Sequence, residues 1–326
     1  MKKNIIGIDI SKDKLDYCNL NVQSVKPERK GVLINDKKNI IKWLKQYDKD
    51  NVVFAFEHTG HYGAMLAECL TEKDFKYYLL NPYNLKKSLG IKRGKTDQKD
   101  AYNIAEYTIV NKHRLSPYKL PVKELRKLKA LITAREKYVK ISVQLQNSLK
   151  ANIILGKTIN LKMLISEEKK QLKNIKQSIK KIEKEIKKVL ESEEELCKNY
   201  NKITQVIGVG PIIAAKCITE TDNFLKFRDG RKFSCHSGLA PFAYESGSSI
   251  KGKTKTHFLR DKPLKALLIK GAITAINHDL QLKKYYERKI KEGKHHMSVK
   301  NAVANKLVLR IFAVVNREEP FVKLSA

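Results

Sequence analysis

The chain has no apolar stretch approaching the length of a membrane span. Its first twenty residues carry Asp9, Asp13 and Asp16, which a secretory signal would not tolerate. The five cysteines, Cys18, Cys69, Cys197, Cys217 and Cys235, are odd in number and contain no Cys-x-x-Cys pair. Neither a disulfide framework nor a zinc site is expected from them; they read as reduced, mostly buried thiols of a cytosolic protein. Acidic residues are scarce: 34 Asp+Glu stand against 67 Lys+Arg, a formal net charge of +33. A surplus this large calls for a polyanionic partner, because each phosphate neutralised releases counterions. Nucleic acid fits better than a membrane surface, which with the reduced thiols predicts a cytoplasmic protein. Charge alone does not separate DNA from RNA. At 326 residues and 42% hydrophobic, the chain is globular with room for two or three domains.

Residues 1–115 alternate short apolar runs (IIGIDI, YCNLNV, GVLIN, VVFAF, YYLLNP) with helical patterns around Ile40–Tyr47 and Met65–Leu70. That order predicts an α/β domain with a mixed sheet whose first three strands are antiparallel. Residues 116–200 turn helical. Leu125, Leu128, Ile132 and Val139 share one face, ILGKTIN interrupts, and Leu172, Ile175, Ile179, Ile182, Ile186 and Val189 form a heptad seam. An antiparallel helical hairpin or coiled coil is expected, serving as spacer and dimerisation element or lying along a nucleic-acid backbone. Residues 201–326 read as a mostly α-helical domain. Within it, ITQVIGVGPIIAAKCITE has the form helix, glycine turn, helix, similar to a helix-hairpin-helix element. Gly208 and Gly210 there are expected to relax the backbone and expose amides to phosphate. Phe233–Arg260 reads as a long polar loop, followed by helices over 264–278 and 299–315.

Four acidic residues carry the chemistry. Asp9 ends the first apolar run and Glu57 ends VVFAF, which places both at a sheet edge. Asp97 and Asp100 lie three apart at the start of a helix that Thr96 can cap, so they face one way. Any one of them alone is most simply a turn former or a helix cap. All four in a strongly basic chain favour a divalent metal, Mg²⁺ (or Mn²⁺), which takes carboxylate and phosphate oxygens together. A nucleophile is available near Ser246, amid Lys251, Lys253, Lys255 and Arg260. Chemistry alone does not choose Ser246 over Ser234, Ser237, Ser248, Ser249 or Tyr244.

The segments GIDIS, FEHTG and KTDQKDA, followed by GVGPIIAAK, SGLAPFAYESG and LKALL, resemble in order the DEDD-type transposases of the insertion-sequence 110 group and Piv-like DNA invertases. The resemblance spans nearly the whole chain. It implies an RNase H-like (RuvC-like) first domain with Asp9, Glu57, Asp97 and Asp100 as its acidic tetrad. It implies Ser246 as the nucleophile of a covalent phosphoserine intermediate, donor and target DNA as substrates, and a homo-oligomer, dimer or tetramer. It also implies a structured, guide-type non-coding RNA, for which Lys86, Lys87, Lys92, Arg93 and Lys95 offer a basic loop. The chain departs from the group in LRDKPLKALL, where Arg260 and Asp261 replace a Gly-Asn pair and Lys265 an arginine. A metal-dependent junction nuclease, with Ser246 only structural, and a non-catalytic nucleic-acid-binding scaffold are the competing readings.

Overall fold

Most apolar runs of the first hundred residues become strands buried on both faces, so they read as near-continuous hydrophobic segments; GVLIN, by contrast, becomes the end of a largely exposed edge strand. The computed structural model describes residues 4–58, 60–90, 94, 96–246 and 250–317; for residues 243–246, 250, 251, 253 and 255 it describes the backbone alone. The chain divides into two compact units, residues 1–120 and 121–326.

In the first unit, β1 (Asn4–Ile10), β2 (Lys14–Asn21) and β3 (Pro27–Ile34) are followed by α1 (Lys37–Leu44), β4 (Val52–Glu57), α2 (Ala64–Glu72) and β5 (Tyr77–Leu80). The five strands form one sheet in the order β3-β2-β1-β4-β5. The β1–β2 and β2–β3 pairs are antiparallel, whereas β1–β4 and β4–β5 are parallel, so the mixed sheet with an antiparallel start is as predicted. α3 (Pro82–Ser88) and α4 (Asp97–Asn111) complete the layers. Alternation along the strands sorts the core. Ile6, Ile8, Phe54 and Phe56 pack with Trp43 and Leu44 of α1 and Leu66 and Leu70 of α2. Ile5, Cys18, Val53 and Ala55 pack on the opposite face with Leu85 of α3 and Ala101, Ile104 and Ala105 of α4.

α4 approaches β1 closely because Gly7 has no side chain: a Cβ there would collide with the Ala101 carbonyl and the Ala105 amide. Both obstacles are backbone, so only a shift of α4 relieves the clash. Gly7→Ala is expected to destabilise the unit by about 2 kcal/mol or more. It should also displace the first turn of α4. Thermal denaturation checks this, and an unchanged melting temperature would refute the tight contact.

The second unit opens with α5 (Lys123–Leu155) and α6 (Lys162–Glu191), separated by the expected break. They run antiparallel, tied by Lys127–Glu185 at 2.7 Å, Arg135–Glu183 at 2.7 Å and Ser148 Oγ donating to Glu168 at 2.6 Å. Leu172, Ile175, Ile179 and Ile182 along the seam are half-buried, and Ile186 and Val189 are buried. Those last two share one core with Leu125, Leu128 and Ile132 of α5 and the helices that follow. These are α7 (Glu194–Thr204), α8 (Pro211–Glu220) and α9 (Gly230–His236), then strands β6 (Phe242–Ser246) and β7 (Ile250–Lys255). α10 (Lys262–His278), α11 (Leu280–Lys291) and α12 (His296–Asn316) end the unit.

Two sequence expectations are corrected here. The polar stretch 233–260 is not simply a loop: it holds most of α9 and an antiparallel two-stranded ribbon, β6–β7. Residues 280–291, which were not expected to be helical, form α11. Buried Asp279 starts that helix by accepting from the Leu282 amide at 2.9 Å, while its other oxygen takes Arg310 Nη1 at 2.6 Å.

Candidate active site

Strands β1 and β4 end together. Their parallel register pairs Ile8 with Phe56, which puts Asp9 and Glu57 at one level on adjacent strands. The antiparallel β1–β2 register places Asp16 directly opposite Asp9. By alternation, Asp9, Asp16 and Glu57 lie on the sheet face that packs against α4. The first turn of α4 carries Asp97 and Asp100, and Thr96 caps it by accepting from the Lys99 amide at 3.2 Å. Burial raises the affinity of the Asp9 carboxyl for its proton, and Asp100, Asp97 and Asp16 raise it further. Asp9 therefore lies within electrostatic reach of both helix aspartates, while strand register alone brings Glu57 alongside.

Three polar residues not singled out in the sequence complete the cluster. Asp16 is only 3% exposed and shares its face of β2 with Lys14, Cys18 and Leu20. Lys14 Nζ lies 2.8 Å from Asp97 Oδ2 and 3.0 Å from Asp16 Oδ2, bridging sheet and helix. Its hydrogen bond to Asp97, then that to Asp16, pushes the Lys14 ammonium up to about 12. Gln98 Nε2 donates to Asp16 Oδ1 at 3.2 Å and to the Gly31 carbonyl at 3.1 Å. A buried aspartate facing the first motif across a hairpin was the signal available in the sequence. The donor set is all carboxylate oxygen, which suits a hard divalent ion. An ammonium already stands among these oxygens, so the cluster has a place for positive charge.

Ser246 is the last residue of β6, where its backbone pairs with Ile250. The feet of this ribbon are tied down. The Asp261 amide donates to the His236 carbonyl at 3.1 Å, Lys265 Nζ to the Gly238 carbonyl at 2.8 Å and Asn301 Nδ2 to the Leu239 carbonyl at 2.7 Å. Arg260 covers Gly238, whose φ of 72° favours glycine, and donates to the His257 carbonyl at 3.2 Å. Asp261 caps α10 through the Leu264 amide at 2.9 Å. The unusual Arg260, Asp261 and Lys265 thus all have structural partners. Lys251, Lys253 and Lys255 occupy alternate positions of β7. Lys86 and Lys87 are exposed in the last turn of α3, and Lys92, Arg93 and Lys95 lie outside the described residues.

In the glycine turn, Gly208 has φ 93° and packs against Gly271, so a side chain there would strike the Gly271 carbonyl. Gly210 does not share this need: at φ −82° and ψ 174° it adopts a backbone open to any residue, which corrects the expectation for the pair. His236 and Asp261, which flank the ribbon in the chain, belong to a second charged cluster. Lys216, with a side chain 7% exposed, reaches Glu136 at 2.8 Å, Glu220 at 3.0 Å and Asp261 at 3.2 Å, and His236 Nε2 lies 3.4 Å from Glu220. The ligand atoms of Glu220, His236 and Asp261 are within 4.8 Å of one another, but Lys216 already supplies the cation there.

The DEDD-type transposase model of the IS110 group matches residues 6–155, and the model described as the transposase IS116/IS110/IS902 family matches residues 200–287. The chain belongs to the IS110 family of transposases. The first match contains Asp9, Glu57, Asp97 and Asp100; the second contains the Gly208 turn, Lys216 and Ser246. The transposase is also 25% identical to the pilin gene-inverting proteins of Moraxella lacunata and Moraxella bovis over 332 aligned positions, 99% of this chain and 99% of each relative. Among the described residues, no helix is long and apolar enough to cross a membrane.

Proposed function

We propose that this transposase cuts and rejoins DNA through a covalent phosphoserine intermediate. Ser246 is the nucleophile, and Asp9, Glu57, Asp97 and Asp100 hold a divalent ion, Mg²⁺ or Mn²⁺. The observation that carries this reading is the convergence of Asp97, Asp100 and Asp16 on the half-buried Asp9 carboxyl near the end of β1. That much negative charge in one place is costly without a cation. When bound, the metal supplies Lewis-acid stabilisation of the charge that builds on the phosphate. The sheet order, with an antiparallel half and a parallel half, supports an RNase H-like domain of the resolvase type for the first unit.

The hydroxyl oxygen of Ser246 forms a bond to phosphorus as a deoxyribose oxygen leaves and takes up a proton. The phosphoserine bond retains the energy of the phosphodiester, so a second strand can attack it and rejoin without ATP. The relatives' name favours this route over plain hydrolysis: gene inversion requires every broken strand to be resealed. We further assign donor and target DNA as substrates, a structured element-encoded RNA as guide, and a homo-oligomer as the working form. α5 and α6, read as a coiled-coil arm, are the candidate assembly element. Lys86, Lys87, Lys92, Arg93 and Lys95, the Gly208–Gly210 turn, and Lys251, Lys253, Lys255 and Arg260 are assigned to nucleic-acid contacts.

The test is a covalent adduct on a denaturing gel after incubation with Mg²⁺, the flanking-element RNA and junction DNA. Wild type is expected to form it. Ser246→Ala should lose it completely while retaining DNA binding, and Tyr244→Phe should keep it. Cleaved DNA released without an adduct would instead identify a nuclease, and binding without cleavage a scaffold.

A further inference from the structure

We infer that Lys14 is a built-in counter-cation of the carboxylate cluster, occupying Asp97 and Asp16 in the metal-free protein and giving way when a divalent ion binds. The inference rests on the reading that the cluster is a metal site. Its basis is geometric. Lys14 is the first residue of β2, two positions before Asp16, so alternation directs both to the α4 face. The β1–β2 connection holds it there: the Ser11 amide and Ser11 Oγ both donate to the Lys14 carbonyl, at 3.0 and 2.8 Å. From that anchored backbone one ammonium spans a sheet carboxylate and a helix carboxylate.

A divalent ion held by Asp97 needs the oxygens that Lys14 now occupies, and an ammonium beside it would repel it. Departure of the lysine is feasible. The Lys14 and Asp97 side chains are 46% and 50% exposed, and a lysine head on a four-carbon stem is readily rehydrated. Asp16, whose side chain is 5% exposed, does not depend on Lys14 for its position, because Gln98 holds its other oxygen. The arrangement keeps the first turn of α4 docked on the sheet before metal arrives. It also weakens metal binding by the free energy needed to break one exposed ion pair, to Asp97, and one to the buried Asp16.

Mn²⁺ binding to the purified full-length protein, read as loss of the free-ion electron paramagnetic resonance signal, tests this. Lys14→Met is expected to bind Mn²⁺ roughly three- to tenfold more tightly than wild type, the range set by exposed ion pairs. Asp9→Asn should bind far more weakly. Lys26→Met, which removes an exposed lysine beyond the far end of β2, should match wild type. Circular dichroism establishes that each variant is folded. If wild type binds Mn²⁺ and Lys14→Met binds with equal or lower affinity, Lys14 is no competitor and the inference fails. It fails equally if Lys26→Met tightens binding as much, since the effect is then one of net charge. If neither wild type nor Lys14→Met binds the ion, the metal reading falls and takes the inference with it. Binding by Lys14→Met alone would support both.

Discussion

Asp9→Asn is expected to lower strand cleavage by roughly a thousandfold or more, while making the metal-free protein more stable. The loss follows from the position of Asp9. It is half-buried near the end of β1, facing Asp16, Asp97 and Asp100, and removing its charge weakens any ion that would stabilise the developing phosphate charge by several kcal/mol. The gain in stability follows from the same surroundings. Burial, then Asp100, Asp97 and Asp16, raise the Asp9 carboxyl above its ordinary value, so its anionic form is disfavoured in the folded chain. A carboxyl raised on folding carries no penalty below its unfolded value. The penalty grows as pH climbs through the interval up to the folded value, and it persists above that. Asparagine has nearly the same shape and no charge. Its melting temperature should exceed that of wild type at pH 7, with the difference shrinking as pH falls and Asp9 takes up its proton. Divalent metal should narrow the gap at pH 7 by stabilising wild type alone. A variant that melts lower and still cleaves would mark Asp9 as a structural residue and remove the centre of the proposed site.

The two halves of the proposed chemistry were unequally legible. Asp9 and Glu57 end hydrophobic runs, and Asp97 and Asp100 follow a capping threonine, so strand ends and helix phase are enough to place them. Ser246 had no such signal. Serines 234, 237, 248 and 249 share its neighbourhood, and only the surrounding family pattern singled it out. The ribbon that carries it was missed because Phe242–Ser246 is only five residues long, and Ile250–Lys255 is polar and interrupted by Gly252, without a hydrophobic alternation to mark them as strands. α11 was missed for a related reason: LQLKKYYERKIK is dominated by charge, and buried Asp279, which caps it, also needs Arg310 from α12, a partner 31 residues away. Asp16 and Lys14 show the converse. Both lie just before YCNLNV, the run that marks this strand in the sequence, because β2 begins already at Lys14. Their role depends on which residue of β1 each one faces, and that is fixed by hairpin register rather than by motif spacing.

Register and tertiary pairing also set the second large effect, at Lys216. Lys216→Met should destabilise the second unit by about 3–5 kcal/mol, the usual cost of removing one partner from a buried ionic network. At this chain length that is a fall in melting temperature of roughly 10 °C. Methionine fills the space of the lysine stem but leaves Glu136, Glu220 and Asp261 facing one another without their ammonium. Burial by itself would push the Glu220 carboxyl up; the hydrogen bond from His236 and the charge of Lys216 outweigh it and bring it down to about 2. A carboxylate lowered on folding contributes stability that is present above its unfolded value, near 4.5, and is lost as pH falls towards the folded one. Burial also opposes the Lys216 ammonium, but Glu136, Glu220 and Asp261 raise it above the ordinary lysine value, so its contribution is intact at neutral pH and disappears only in strong alkali. The deficit of Lys216→Met should therefore be greatest near pH 7 and shrink below about pH 4 as the stranded carboxylates protonate. Because Asp261 both caps α10 and donates its amide to His236 at the foot of the ribbon, the variant should also form the Ser246 adduct more slowly at temperatures where it remains folded. Its Mn²⁺ affinity, set by the first unit, should not change. Urea or thermal melts from pH 3 to pH 8 decide the matter: a deficit independent of pH would reduce Lys216 to a packing residue.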